Sequence, residues 1–323
     1  MKIFVTGGTG YVGEVLVNEG VEIGHEMTVL TRSPEKAKNL QVQGVQAIVG
    51  DMMSNGDWID EMNQSDAIIH LASPPTWGRR VTKKIAKQYA NGHYELTERL
   101  FQVANPKSVK KIIFVGGTSF FGDAGNEEPK DETYSSSPKG WGPYIAPSIH
   151  YAKEQKKKFP LNIVYPSQIY GPSSWMEQLF LEPLYEGRPL TTLKGYSPMF
   201  SPIHIEDCGR ALIHLIQHGE EGEEYILTDN LPIPSENFCI EIEYLMNVIN
   251  SKVRYVSKFL CQLFIGPVLT EYATANTNFS NKKLRSTGFR FRYPTYKDGL
   301  PDVVERWLEL KQYEVIDETL KTR

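Results

Sequence analysis

The chain has 323 residues, 40% hydrophobic and 23% charged, an ordinary globular composition that excludes a disordered or fibrous protein. Its 35 Lys and Arg against 39 Asp and Glu leave a formal charge of −4. That balance argues against a nucleic-acid partner, because a surface that tracks phosphates carries a basic excess. Cys208, Cys239 and Cys261 are widely spaced and odd in number, so they indicate neither a disulfide framework nor a metal site. They read as reduced residues of a cytoplasmic protein.

The first apolar run starts directly after Met1, so no signal peptide is expected. The most apolar stretch, residues 259–269, is about half the ~20 residues a membrane span needs and contains Gln262 and Pro267. No membrane partner is expected. Short runs rich in Ile and Val follow in order at residues 3–6, 27–30, 47–49, 67–71, 112–115 and 162–165. Helix-length polar segments separate them, which predicts buried parallel strands joined by crossover helices in a doubly wound α/β sheet. The Lys-rich residues 153–158 read as a solvated helix face and end.

Beyond residue 172 the chain is rich in Pro, Gly and aromatics up to residue 200, and reads as loop and short helix. A strand at 203–205, a helix at 208–217 and a strand at 224–227 then return. Residues 232–291 read as mainly helical, with a closing helix near 302–311. This predicts a dinucleotide-binding Rossmann domain from residues 1–170 and 203–230. A smaller, discontinuous substrate lobe, mainly helical, would take residues 171–202 and 231–323.

The strongest motif is Thr6-Gly7-Gly8-Thr9-Gly10-Tyr11-Val12-Gly13, immediately after the first strand. Gly7 would allow the tight turn, Gly10 the approach of a pyrophosphate, and Gly13 the packing of helix on strand. The phosphates would meet the positive end of a helix beginning near Tyr11. After the second strand the sequence offers Arg32 and Lys36 and no acid at 30–34. A carboxylate there suits the ribose 2′-hydroxyl of NAD, whereas a guanidinium fork suits the 2′-phosphate of NADP. NADP is therefore expected, with NAD as the alternative. Arg32 also reads as a plain solvated loop residue.

With Gly50-Asp51-Met52, His70-Leu71-Ala72-Ser73, residues 115–122, and Tyr165-Pro166 leading to Tyr170-Gly171-Pro172, the chain resembles the extended short-chain dehydrogenase/reductases, the NAD-dependent epimerase/dehydratase family. Residues 203–207, 225–229, 280–284 and Tyr293-Pro294 also match. The resemblance implies that Asp51 and Met52 meet adenine, and that Leu71, Ala72 and Ser73 line the pyrophosphate and ribose. Residues 166–169, from Pro166 to Ile169, would border the nicotinamide. Family members often dimerise through helices beside the active site, which implies a homodimer.

The family usually carries Tyr-x-x-x-Lys on the helix after the fifth strand, where the cation lowers the phenol pKa and the phenol exchanges a proton. Here no Tyr has Lys at plus four: Tyr144 is followed by Ser148 and Tyr151 by Gln155. Pro147 is expected to start that helix, with Tyr151 on it and Tyr144 just before it. The usual Ser or Thr falls at Gly117, beside Thr118. Candidate catalytic residues are Tyr151, Tyr144 and Thr118; each tyrosine also reads as a buried aromatic, and Thr118 as a loop cap. His150 reads as a surface or core histidine.

Sugar-nucleotide members hold the substrate diphosphate partly with an Arg that corresponds to Phe200 here, which weakens that reading; Arg79, Arg80 and Arg188 remain as anion contacts or solvated residues. Trp77, Trp141, Trp175, Met176, Phe180, Met199 and Phe200 would form either an aromatic substrate pocket or an interface between lobes. The expected function is an NADP-dependent oxidoreductase or epimerase acting on a small hydroxyl, carbonyl or sugar-like substrate by hydride transfer at nicotinamide C4. A catalytically silent NAD(P)-binding regulator or partner subunit is the alternative.

Overall fold

The computed structural model describes residues 1–75, 80–248 and 251–321, with side chains up to residue 312. The first half alternates strand and helix: β1 (Lys2–Thr6), α1 (Tyr11–Glu22), β2 (Glu26–Thr31), α2 (Pro34–Val42), β3 (Gln46–Val49), α3 (Trp58–Gln64), β4 (Ala67–His70), α4 (Lys83–Val103), β5 (Ile112–Val115), α5 (Gly142–Gln155) and β6 (Leu161–Pro166). There follow β7 (Gln168–Tyr170), α6 (Glu182–Tyr185), β8 (Leu190–Leu193), β9 (Met199–Phe200), β10 (Pro202–His204), α7 (Ile205–His218) and β11 (Glu224–Leu227). The chain closes with β12 (Ile233–Pro234), α8 (Ser235–Leu245), β13 (Val253–Val256), α9 (Lys258–Phe264), α10 (Pro267–Thr274), α11 (Lys282–Ser286) and α12 (Tyr296–Lys321).

A seven-stranded parallel sheet runs in the order β11-β6-β5-β4-β1-β2-β3. The order reverses between β1 and β4, the switch point at which open α/β sheets bind ligands beyond their strand carboxyl ends. Central strands are apolar on both faces because helices cover both: Phe4, Val5, Ile68, Ile69, Ile113 and Phe114 are fully buried. One face packs on α1 and α7 through Leu16, Val17, Cys208, Ala211, Leu212 and Leu215, spaced three and four apart. The other packs on α3, α4 and α5 through Met62, Leu100, Phe101, Ile145 and Ile149.

Three expectations change. The helix after β5 starts at Gly142 with Pro143 in its first turn, so Pro147 lies inside it and Tyr144 is on the helix. The Lys-rich run is not simply a solvated face: Lys153 and Lys156 both ion-pair with Glu224 on β11, at 2.9 and 2.6 Å, while Lys157 and Lys158 are exposed. Residues 232–291 also mix helix with strand, since β13 pairs with β8 and β12 with β9. A separate core of Tyr170, Met176, Leu184, Phe238, Val303 and Trp307 joins these later segments to α12.

Candidate active site

The glycine loop follows β1 and hands the chain to α1, whose cap residue Gly10 makes no side-chain cap. The amides of Tyr11, Val12 and Gly13 therefore end the helix without an internal acceptor. Gly7 adopts φ +77°, and a Cβ there would lie 2.7–2.8 Å from the Leu71–Ala72 backbone, so only glycine lets the loop rest on the end of β4. Gly13 lies against Gly7 and Gly8 equally closely, whereas at Gly10 a Cβ would meet only the Gly7 carbonyl, at 3.3 Å. The space above Gly10 is thus an open cradle at a helix N-terminus, which fits an anionic pyrophosphate. Beneath it Thr6 and His70 hydrogen-bond at 2.7 Å, and burial holds the His70 imidazole at about 3, hence neutral. Tyr11 is partly exposed, and its hydroxyl faces Gly171 and Ser174.

Arg32 is exposed at the end of β2. Lys36, in the first turn of α2, reaches back and donates to the Thr9 carbonyl at 2.8 Å, so a cation is fixed against the glycine loop itself. Asp51 is exposed and its carboxylate accepts the Met53 amide at 2.9 Å, while Met52 is buried. Leu71 and Ala72 are half-buried, and Ser73 hydrogen-bonds Tyr89 of α4. Pro166 faces the cavity described next; Ile169 packs in the core and its carbonyl accepts the Trp175 indole N–H at 2.8 Å.

Beyond the carboxyl ends of β5 and β6 lies a cavity of about 300 Å³. Its walls are Gly116, Gly117 and Ser119 after β5, Trp141 and Ile145 at the start of α5, Pro166, Tyr89 from α4 and Tyr272 from α10. Gly142 presses on Ser119: a Cβ there would be 2.1 Å from the Ser119 carbonyl. Tyr272 is brought in from far along the chain. Gly140 at φ +59° lies against its backbone, where a Cβ would meet Tyr272 at 2.7 Å, and the Gly140 amide donates to Glu271 at 3.1 Å. On the other side Asn276 is bonded to Asp123 at 2.9 Å.

Burial pushes the Tyr272 phenol up to about 12, and a hydrogen bond from Gln168 partly opposes this. The Gln168 carbonyl oxygen already accepts Ser167 at 2.7 Å and Thr277 at 2.9 Å. With that oxygen occupied, Gln168 has its amide N–H groups left to offer the phenol. Tyr89 is arranged similarly: burial raises its pKa, Ser73 bonds its oxygen, and its ring meets Trp141 edge-on at 5.1 Å.

The sequence-predicted catalytic residues are not gathered at this cavity. Tyr151 faces α4, with ring contacts to Tyr94 at 5.5 Å and Phe101 at 6.1 Å; burial and then Glu98 raise its pKa. Lys153 is spent on Glu224 and on the Phe120 ring, at 4.8 Å. Tyr144 is half-buried among Trp141, Val81, Ala86 and Val268, and burial, then Glu271, raises its pKa. Ser148, four places on, is buried against His93 at 2.7 Å, and burial holds that imidazole at about 4. Thr118 is buried, and its neighbour Ser119 faces the cavity instead. His150 is exposed against the Phe120 ring.

Among the described residues of the aromatic set, Trp141 alone borders the cavity. Met176 is buried, and Phe180 and Phe200 pack against the same later core; Trp175, 37% exposed, makes ring contacts with Phe180, Phe200 and Phe238. Met199 is half-buried in β9. Trp77 and Arg79 lie outside the described residues. Arg188 is paired with Glu186, and Arg80 is exposed. Among the described residues, no cluster of His, Cys, Asp or Glu could hold a metal, and the three cysteines are free thiols. Also among them, no helix is long and apolar enough to cross a membrane. Tyr89 and Tyr272 were not legible as site residues, because no local spacing relates them, whereas Ser119 stands next to the candidate Thr118.

Residues 3–227 match the model of the NAD dependent epimerase/dehydratase family. The chain is 24% identical over 245 residues to a ketoreductase of a farnesyl dihydroquinoline oxide from Stigmatella aurantiaca, covering 74% of this chain and 71% of that one. It is 26% identical over 250 residues to a probable dTDP-glucose 4,6-dehydratase from Sinorhizobium fredii, covering 70% of each. Among solved structures, dTDP-glucose 4,6-dehydratase from Streptomyces venezuelae, with NAD bound, superposes at TM-score 0.79 with 20% identity over 97% of this chain and 98% of that one. UDP-glucose 4-epimerase from Thermotoga maritima does so at 0.78 with 16% identity, over 96% and 99%. The glycine-loop sheet and its cavity accord with these matches, and the chain belongs to the NAD dependent epimerase/dehydratase family, as an oxidoreductase- or epimerase-like enzyme.

Proposed function

We propose that the protein uses NADP, with NAD as the weaker alternative, to oxidise, reduce or epimerise a small hydroxyl, carbonyl or sugar-like compound held in the 300 Å³ cavity. One arrangement carries this reading: the open cradle over Gly10 and the cavity beyond β5 and β6 lie at the carboxyl ends of one parallel sheet. The cofactor supplies hydride transfer at its nicotinamide C4. Gly7, Gly8, Thr9, Gly10 and the amides of Tyr11, Val12 and Gly13 hold the pyrophosphate. Asp51 and Met52 take the adenine end, Leu71, Ala72 and Ser73 the ribose and pyrophosphate, and Pro166 and Ile169 the nicotinamide.

Tyr272, with Ser119 beside it, replaces Tyr151 and Thr118 as the proposed hydroxyl partner of the substrate oxygen. A phenol at about 12 stays protonated near neutrality, and its O–H suits donation to a carbonyl oxygen. Tyr144, packed against Trp141, would line the outer wall. Phe200, in place of a phosphate-binding Arg, is locked in lobe core 4.9 Å from Phe238, which favours a compact substrate over a nucleotide-linked sugar. Arg32 and Lys36 stand where the 2′-phosphate would lie. Titration of NADPH and NADH tests the cofactor: Arg32→Ala should weaken NADPH about tenfold or more, the scale of one charged hydrogen bond, and leave NADH nearly unchanged. Equal losses would refute the NADP preference.

A further inference from the structure

The α9 helix stands outside the cavity and leaves most of its apolar surface uncovered. Phe259, Leu260, Leu263 and Phe264 are 68, 44, 50 and 69% exposed, and Tyr255 just before the helix is 64% exposed. A patch of this kind on one short element is unusual for a surface that meets only water. Along the segments that carry the patch, basic residues outnumber acidic ones. Residues 251–270 contain Lys252, Arg254 and Lys258 and no Asp or Glu, in a chain whose net charge is −4. The partner strand and its loop, residues 188–200, add Lys194 and Arg188, the latter paired with Glu186, and contain no acid. Lys258 lies over the Tyr196 ring at 5.2 Å, so a cation and an aromatic share one spot at the helix start.

We propose that this face binds the surface of an anionic lipid bilayer, with the apolar side chains of α9 in the headgroup–acyl boundary and the flanking Lys and Arg on lipid phosphates. Aromatic and aliphatic residues rimmed by cations and free of acids are the pattern of interfacial attachment. A helix of seven residues lies on a bilayer and does not cross it, which agrees with the short length of the 259–269 stretch. A second copy of the chain fits less well, because a two-fold contact through this face would set the same cations against one another. The attachment would reach the cavity directly: α9 runs into α10, which carries Tyr272, and the Ile265 carbonyl between them accepts the Val81 amide at 2.8 Å.

Co-sedimentation of the full chain tests this with vesicles of phosphatidylcholine alone and of phosphatidylcholine with phosphatidylglycerol. The protein should pellet with the anionic vesicles only, and rising salt should release it. Lys252→Gln and Lys258→Gln should each weaken partition about fivefold, the scale of one basic residue at an anionic surface. The double change Phe259→Ser and Phe264→Ser should abolish partition with unchanged circular dichroism. Absence of wild-type binding to anionic vesicles overturns the proposal, whatever the variants do. So does equal binding to neutral vesicles, or concentration-dependent self-association in place of vesicle binding.

Discussion

A phenol whose pKa burial pushes well above neutrality keeps its own proton, and at this cavity that phenol belongs to Tyr272. Tyr272→Phe removes only the hydroxyl, so it should lower kcat by about a hundredfold, the ordinary scale of general acid catalysis, and move KM little. Tyr151→Phe should change kcat by less than about twofold, as expected for a ring packed between α4 and α5 away from the reacting groups. Steady-state rates of the two variants separate these outcomes. Gly140→Ala should behave like a milder Tyr272→Phe, because a Cβ at φ +59° would press on the Tyr272 backbone. The glycine loop was legible in the sequence because a tight turn, a close approach and a helix start lie within seven consecutive residues. Tyr272 was not legible: its place depends on Gly140 and on the Asn276–Asp123 bond, contacts between segments more than 130 residues apart.

The central strands and crossover helices were readable because their short apolar runs are buried on both faces and carry no polar alternation, whereas β3, at the sheet edge, is partly exposed. The start of α5 was misread for a local reason. Pro143 and Pro147 both look like first-turn prolines, and the helix tolerates the inner one because Pro147 sits on the exposed side and removes a single backbone bond. The Lys-rich end of α5 looked solvated because its partner, Glu224, arrives from a strand about 70 residues later. Burial pushes the Glu224 carboxyl up, but Lys156, Tyr165 and Lys153 outweigh it and hold the group below its usual value. Such a depressed carboxylate stabilises the fold fully above its unfolded pKa and loses that contribution as pH falls through the folded one. Glu224→Gln should therefore cost about 2 kcal/mol at pH 7, where it leaves two lysines without their charge partner. The gap from wild type should shrink below pH 4, as followed by urea unfolding across pH.

Across the whole molecule, the sheet and the later segments meet at a polar seam. Buried Asp207 accepts the amides of Arg292 and Tyr293 and the Arg210 guanidinium, each at 2.7 Å, and Arg292 and Arg306 both reach Glu206. Asp229 lies in the same region with one carboxylate oxygen unpartnered among the described residues. Burial raises it to about 8; the Leu231 and Tyr296 amides oppose this, and Asp298 and Asp207 add to it. An acid whose folded pKa is raised stabilises while protonated, so stability should fall as pH climbs from about 4 to about 8. Asp229→Asn should gain stability over wild type by roughly 1.4 kcal/mol per pH unit between pH 5 and pH 7. Flat pH curves for both proteins would remove the buried charge from the account. If the cavity beyond β5 and β6 performs nicotinamide chemistry through Tyr272, turnover depends on that one phenol. The direct measurement is NADPH consumption by the full chain across a panel of small carbonyl compounds, with wild type and Tyr272→Phe side by side. Wild type should turn over and the variant should nearly lose turnover, with NADPH affinity equal in both. Tight NADPH binding with no consumption, or consumption that survives Tyr272→Phe unchanged, would contradict this role of the phenol.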